Sequence, residues 1–354
     1  MPLFPYAAEH WGRHAVEVQN DIQDLALTFF SMTDTLNETL AYVEVCHSGN
    51  IVEDLDNPRP AIQGIHLCAH FDLTFCFSTL LGNGADPNAK DKLGRTPFYW
   101  ATETPSVRII RLLLELPDID LNAEPEGDWA RHSPIAVAAE YGHTDVMELP
   151  IERNDIAVNT RNYLGQTPLF LAAGNGNTDI VRMLLSWQDI QPDVKDCNGR
   201  TPLTSAAAQG HESVVHLLLE RDDIDVNIQD SNGRTPIVFA AEDAHNAIVQ
   251  LLLKREDINA GLGDGAVTLL TIAAANDQKP MIQFLLQRED VAINATDYHG
   301  NTALMHATTN NNVVVVEMLL ARDDINTRVR TPLGQTALDY ATAQGHRHII
   351  PLLT

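Results

Sequence analysis

The sequence predicts an all-α solenoid of short helix pairs, and three observations predict it. A segment recurs about every 34 residues, most copies open with Thr-Pro followed by small apolar residues, and stretches rich in Asp, Asn and Gly separate the copies. Thr96-Pro97, Ser133-Pro134, Thr167-Pro168, Thr201-Pro202, Thr235-Pro236, Thr268-Leu269, Thr302-Ala303 and Thr336-Ala337 open equivalent segments, at steps of 37, 34, 34, 34, 33, 34 and 34 residues. A degenerate copy beginning Gln63-Gly64-Ile65-His66-Leu67-Cys68-Ala69 stands 33 residues before Thr96, which makes nine copies.

The copy around Thr201 shows why each element should form. Thr201 can offer its hydroxyl to an orphan N–H of a helix start, while Pro202 fixes φ at a position whose N–H would be unpaired anyway. Leu203, Ala206 and Ala207 make a slim apolar stripe that lets neighbouring helices approach, and Gly210 supplies the left-handed residue that ends the helix. Val214, Val215, Leu217, Leu218 and Leu219 define a returning second helix. From Arg221 to Gly233 no helical stripe survives, so this stretch is predicted to be a β-turn loop. One such pair cannot bury both apolar faces alone, so neighbours must stack and share a core.

Along the chain, residues 1–57 show no copy, carry Arg13 as the one basic residue against ten acidic ones, and space Ile22, Leu25, Ala26, Phe29 and Phe30 helically. They are expected to form a helical N-terminal cap, with residues 58–354 forming a repeat domain of about nine units, the first degenerate and the last truncated. Two prolines predict local distortion. Pro150 falls where other second helices have Leu, and Pro105 stands where other copies have the helix-ending glycine. The 37-residue step reads as an insertion around residues 124–128.

The segment GRTPLTSAAAQGHESVVHLLLERDDIDVNIQD resembles an ankyrin repeat, and similar text runs from about residue 58 to 354. The Thr/Pro/Ala frame is kept. The histidine of the family's T-P-L-H-x-A pattern survives only as His66, its place being taken by Tyr99, Ala136, Phe170, Thr204, Val238, Thr271, Met305 and Asp339. The family's turn appears as Asn83-Gly84-Ala85-Asp86-Pro87-Asn88, and later as the one-residue-longer Asp222-Asp223-Ile224-Asp225-Val226-Asn227. Residues 6–14, Tyr-Ala-Ala-Glu-His-Trp-Gly-Arg-His, are similar to the segment that joins the nucleotide-binding part of some fungal NACHT-type signalling proteins to their ankyrin array.

Composition narrows the partners. Against 48 Asp plus Glu stand 23 Lys plus Arg, a formal charge of -25, which repels phosphate backbones and anionic lipid. Neither nucleic acid nor membrane is expected as a partner. Four cysteines (Cys46, Cys68, Cys76, Cys197) form no disulfide framework and no zinc spacing, which suggests buried thiols in a reducing compartment. With no signal-like start and no 18-residue apolar run, the expected location is the cytoplasm, with the nucleus as the alternative.

The signatures of chemistry are missing: no GxSxG, HExxH, GxxxxGK[ST] or GxGxxG occurs in the setting each needs. Gly174-Asn175-Gly176 falls where a first helix must end and reads as a C-cap. Asp223-x-Asp225-x-Asn227 begins like a calcium loop, but Ile228 replaces the sixth-position Gly and Arg234 the twelfth-position Glu. His143, His211 and His346 follow glycines where the family's His supports a turn, and Cys197 has no His or Cys beside it. No cofactor, metal or catalytic residue is expected.

Function must then lie in the surface. The resemblance implies a concave groove built from turn tips and first-helix ends. On this chain those positions are Glu103, Trp129, His132, Glu140, Tyr141, Tyr163, Asn175, Gln209, Glu242 and Asp243. Exposed aromatics beside carboxylates suit a recognition surface for a protein or peptide that is basic and partly apolar. Two alternatives stay open. One is an enzyme or small-molecule binder with a pocket between the cap and the early repeats, lined by Trp129, His132, Glu140 and Tyr141. The other is the sensor part of a signalling NTPase.

Overall fold

The computed structural model describes residues 63–125, 132–149, 155–258, 269–288 and 291–354. The predicted cap (1–57), Trp129 and Pro150 lie outside the described residues. The chain divides into two compact units, one reaching Ala172 and taking in Asn177–Gln191, the other made of Ala173–Gly176 and Pro192–Thr354.

Helices come in pairs throughout the described residues. They begin with α1 (Gly64–His70) and α2 (Thr74–Gly82), α3 (Pro97–Glu103) and α4 (Val107–Leu114), α5 (Pro134–Tyr141) and α6 (Thr144–Glu148), α7 (Pro168–Gly174) and α8 (Thr178–Leu185). Next come α9 (Pro202–Gln209) and α10 (Glu212–Leu219), α11 (Pro236–Glu242) and α12 (Asn246–Leu252), α13 (Leu269–Ala275) and α14 (Lys279–Leu286). The series closes with α15 (Ala303–Thr309) and α16 (Val313–Leu320), then α17 (Ala337–Gln344) and α18 (Ile350–Leu353). Among the described residues no strand forms, only an isolated bridge between Thr296 and Thr302. The fold is an all-α repeat solenoid. In the first unit α1 packs on α3 and α3 on α5; in the second, α9, α11, α13, α15 and α17 pack in succession, with the second helices layered behind them.

The caps follow the sequence logic with two exceptions. Thr201 has extended φ/ψ and accepts from Thr204 N at 3.3 Å, and Thr96, Thr167, Thr302 and Thr336 cap their helices the same way. Ser133 instead spends its hydroxyl on Thr160 Oγ1 at 2.7 Å, and the buried Thr235 hydroxyl makes no hydrogen bond. Gly142, Gly176, Gly210 and Gly345 end their helices at positive φ, and Asp72, Ala244, Asp277 and Asn311 take the same register at φ of 54 to 60. Pro105 cannot enter that region. There Thr104 ends α3 at φ -114, its hydroxyl donating to the carbonyls of His70 at 2.8 Å and Trp100 at 3.0 Å. The second helix before Pro150, α6, has five residues where α4, α8 and α10 have eight.

Apolar burial and a periodic polar network hold the stack. Leu203, Ala206, Ala207, Val214, Val215 and Leu218 are fully buried, so the slim stripe and the bulky second helix share one core. After six of these eight left-handed positions the next residue reaches back to close the preceding first helix. His143 donates to Glu103 O (3.3 Å), Asn177 to Ala139 O (2.9 Å), His211 to Gly174 O (2.9 Å), His245 to Ala208 O (3.2 Å), Gln278 to Ala241 O (2.6 Å) and His346 to Thr308 O (2.9 Å). An asparagine ladder links the loops. Asn88, Asn122, Asn159, Asn227 and Asn294 each donate to a carbonyl of the next loop, and Asn88, Asn122, Asn159 and Asn294 are seen to accept from one of its N–H groups as well.

Candidate functional site

Where the turn that leads from one repeat into the next first helix is described, it is folded around one buried polar side chain. Asp91 accepts from Leu93 N, Arg95 N, Arg95 Nε (2.7 Å) and Trp100 Nε1 (3.0 Å). Asp196 and Asp230 gather their two backbone N–H groups and the guanidinium of Arg200 or Arg234 in the same way. At Asp297 the partner is His306, with Nε2 2.7 Å from Oδ2. Burial opposes ionisation of Asp297, but the N–H groups of Asn301 and His299 and the contact with His306 outweigh it and hold the carboxyl below the usual range. These bonds fix the turn tips, so the tip residues between them project without being spent on turn formation.

On the first unit the tip and helix-end positions converge. Tyr141, at the end of α5, is 64% exposed and stacks on His143, with ring centroids 5.9 Å apart and planes 23° apart. His143 in turn bonds Glu103 O, which ties the Tyr141 ring to the end of α3, where Glu103 sits. Partial burial, then the charges of Glu140 and Glu103, raise the Tyr141 phenol. Burial raises Tyr99 further, with Glu103 adding to it, so both phenols remain neutral donors at physiological pH. His132 Nδ1 lies 3.4 Å from Glu140 Oε2, within ion-pair reach when the imidazole is protonated, and its Nε2 lies 3.4 Å from Asn162 Nδ2. Asn162 replaces the turn aspartate here, and its amide also donates to Gln166 Oε1 at 3.0 Å. An amide suits this position because it can donate to the imidazole nitrogen, which a carboxylate cannot. Tyr163, on that turn's tip, is 49% exposed.

The structure therefore brings Glu103, His132, Glu140 and Tyr141 together, with Tyr163 on the next tip; Trp129 lies outside the described residues. Tyr99, buried beneath this cluster, and His143, Asn162 and Gln166 within it carry no spacing in the sequence that marks them as its members. On the second unit, Asn175, Gln209, Glu242 and Asp243 are exposed at first-helix ends. Glu242 Oε2 lies 3.3 Å from Arg234 Nη1, and the Arg234 guanidinium carbon stands 4.1 Å over the Phe239 ring. Burial pushes the Glu242 carboxyl up, opposed by Arg234 and reinforced by Asp243.

No group of His, Cys, Asp or Glu among the described residues is arranged to hold a metal ion. In the loop that begins like a calcium site, Asp223 is held by Arg221 through two bonds of 2.7 and 2.6 Å, and Asp225 Oδ1 accepts from Asn227 N at 2.9 Å. Cys68 and Cys76 are buried and Cys197 is exposed on its tip. Burial, then the hydrogen bond that its S–H donates to Cys76, pushes the Cys68 thiol well above its usual range, which makes it a poor nucleophile. An apolar void lined by Phe98, Leu121, Ile135, Val146 and Met147 lies inside the stack and presents almost no polar surface for chemistry. No helix among the described residues is long and apolar enough to cross a membrane.

A family profile described as "Ankyrin repeats (3 copies)" matches residues 65–162, 135–230, 188–264, 222–297 and 270–354. The chain belongs to the ankyrin-repeat family, whose members are generally protein-interaction modules. Among curated proteins it is similar to Rabankyrin-5 of Homo sapiens, 32% identical over 117 residues that make up 32% of this chain and 10% of that protein. Rabankyrin-5 of Mus musculus is 31% identical over 117 residues, with the same coverage. The chain spans about a tenth of the length of these relatives.

Proposed function

We propose that the chain is a non-catalytic interaction module that holds a basic, partly apolar protein segment on the face formed by turn tips and first-helix ends, with the principal contacts on the first unit. The observation that carries this reading is the pairing of exposed Tyr141 with Glu103 and Glu140, and of exposed Tyr163 on the following tip. Tyrosine gives a large contact area at small entropy cost, and the carboxylates supply charge complementarity to a cationic partner. A net charge of -25 adds long-range attraction that speeds encounter and is screened by salt.

Affinity capture with the full chain followed by mass spectrometry tests the class: a stoichiometric protein supports it, and a co-purifying metabolite with no protein overturns it. Calorimetry on the captured partner then tests the place. Tyr141→Ala should weaken binding by about 2 kcal/mol if the ring is a hot spot, while Tyr298→Ala in the other unit should bind like wild type. The reverse pattern would move the site to the second unit.

A further inference from the structure

The fold contains its own example of how this face holds a cation. In the repeat of α11 the helix-end carboxylate, Glu242, takes the Arg234 guanidinium at 3.3 Å while the flat of that group lies over Phe239. Glu103 and Glu140 occupy the register of Glu242 on α3 and α5. Their surroundings differ in one respect that matters. Glu140 has His132 beside it, whereas the Glu103 carboxylate forms no ion pair among the described residues. The turn arginine of its own repeat, Arg95, is turned away, with Nε 2.7 Å from Asp91 and the guanidinium 4.3 Å over Trp100. What stands at Glu103 instead is an exposed ring: Tyr141, placed there through the stack on His143 and the bond from His143 to Glu103 O.

A carboxylate with no ion pair among the described residues, next to an open aromatic ring at the carbonyl end of a helix, has three features that favour a planar cation. Guanidinium fits better than ammonium, because it is weakly hydrated, offers paired N–H donors to a carboxylate and stacks on an aromatic face. We propose that Glu103 and Tyr141 form a receptor for one arginine side chain of the bound partner, the carboxylate pairing with the guanidinium and the Tyr141 ring covering its face. This rests on the interaction reading above and specifies the residue that is read.

Random dodecapeptides displayed on phage and panned against the full chain supply the probe. The expected result is enrichment of arginine at one fixed position. A synthetic copy of the enriched peptide should lose at least about 10-fold in affinity when that arginine becomes citrulline, which keeps the shape and removes the charge, and should lose more with lysine than a pure charge effect allows. Glu103→Gln should cause a similar loss with an unchanged melting temperature, and its loss should not add to that of citrulline, whereas Glu317→Gln, exposed on the second helix α16 and away from the turn tips, should change nothing. Peptides captured without arginine preference, or an arginine preference untouched by Glu103→Gln, would overturn the receptor and leave the interaction reading standing. Failure to capture any peptide, together with failure to capture any protein from the cell of origin, would remove both.

Discussion

Asp193 Oδ2 accepts the backbone N–H of Asp225 at 2.8 Å, while its other oxygen, Oδ1, is buried without a hydrogen bond. This is the register of the asparagine ladder, where Asn88, Asn159, Asn227 and Asn294 use the second atom as an amide donor to the next loop. An ionised aspartate has no such donor. Burial, reinforced by the charges of Asp225 and Asp223 and opposed by the Asp225 N–H, raises its pKa. The folded chain thus binds this proton more tightly than the unfolded chain, so the penalty is present above the ordinary carboxylate range and fades as pH falls through the folded value. Asp193→Asn should stabilise the chain by about 1 kcal/mol at pH 7, and by less at pH 4, in thermal melts at both values. Equal gains at the two pH values would contradict the missing donor.

Ala244 sits at φ 60 where Gly210 sits at φ 79 one repeat earlier. An L side chain costs about 1–2 kcal/mol there, partly offset by the freedom glycine gives the unfolded chain. Ala244→Gly should raise stability in urea denaturation, and Gly210→Ala should lower it by more than the first gains. A Cβ on Gly210 would stand 2.6 Å from His245 Cε1, against the ring that closes this helix. Opposite signs are the expected result; a stabilised Gly210→Ala would refute the register.

Leu218 is fully buried between the helix pairs of the second unit. Truncation to Ala should cost roughly 2–5 kcal/mol, measured by chemical denaturation, because the flanking helices can close only part of the cavity. A cost near zero would mean that α10 does not share its core with its neighbours.

The aspartates of residues 222–225 should ignore divalent cations, since Asp223 is already neutralised by Arg221 and Asp225 is spent on the turn. EDTA and millimolar calcium should leave the melting temperature in place. A calcium-dependent rise of several degrees would show a site that the loop geometry does not contain.

Where an element depends on neighbours in sequence, it was readable. Thr201, Pro202 and Gly210 act within one turn of where they stand, and their 34-residue recurrence needs no knowledge of packing. The exchange at Pro105 was half readable: the chain shows that a left-handed residue is missing, but not that Thr104 would bond His70, 34 residues back. The face around Tyr141 was legible as positions and illegible as contacts. His132, Asn162 and Glu140 meet through bonds across 8 to 30 residues, and no spacing rule says which turn lends its amide to which imidazole. The asparagines of the ladder recur in the sequence within stretches that signal turns, but their bonds are not legible there, because each amide does its work in the following repeat.

The backward reach of His143, Asn177, His211, His245, Gln278 and His346 gives the stack a grain. Each first helix is finished by a side chain that belongs to its successor, so within a unit the latch and the door arrive from different repeats. Removing a leading repeat leaves a spare latch, a mobile amide or imidazole that water satisfies at small cost. Removing a trailing repeat leaves an unlatched helix, with its last carbonyls bare and its end free to unwind. Erosion should therefore run against the direction of synthesis. On a ribosome the same asymmetry means that a repeat emerges before its fastener, and stays provisional until one more has followed it.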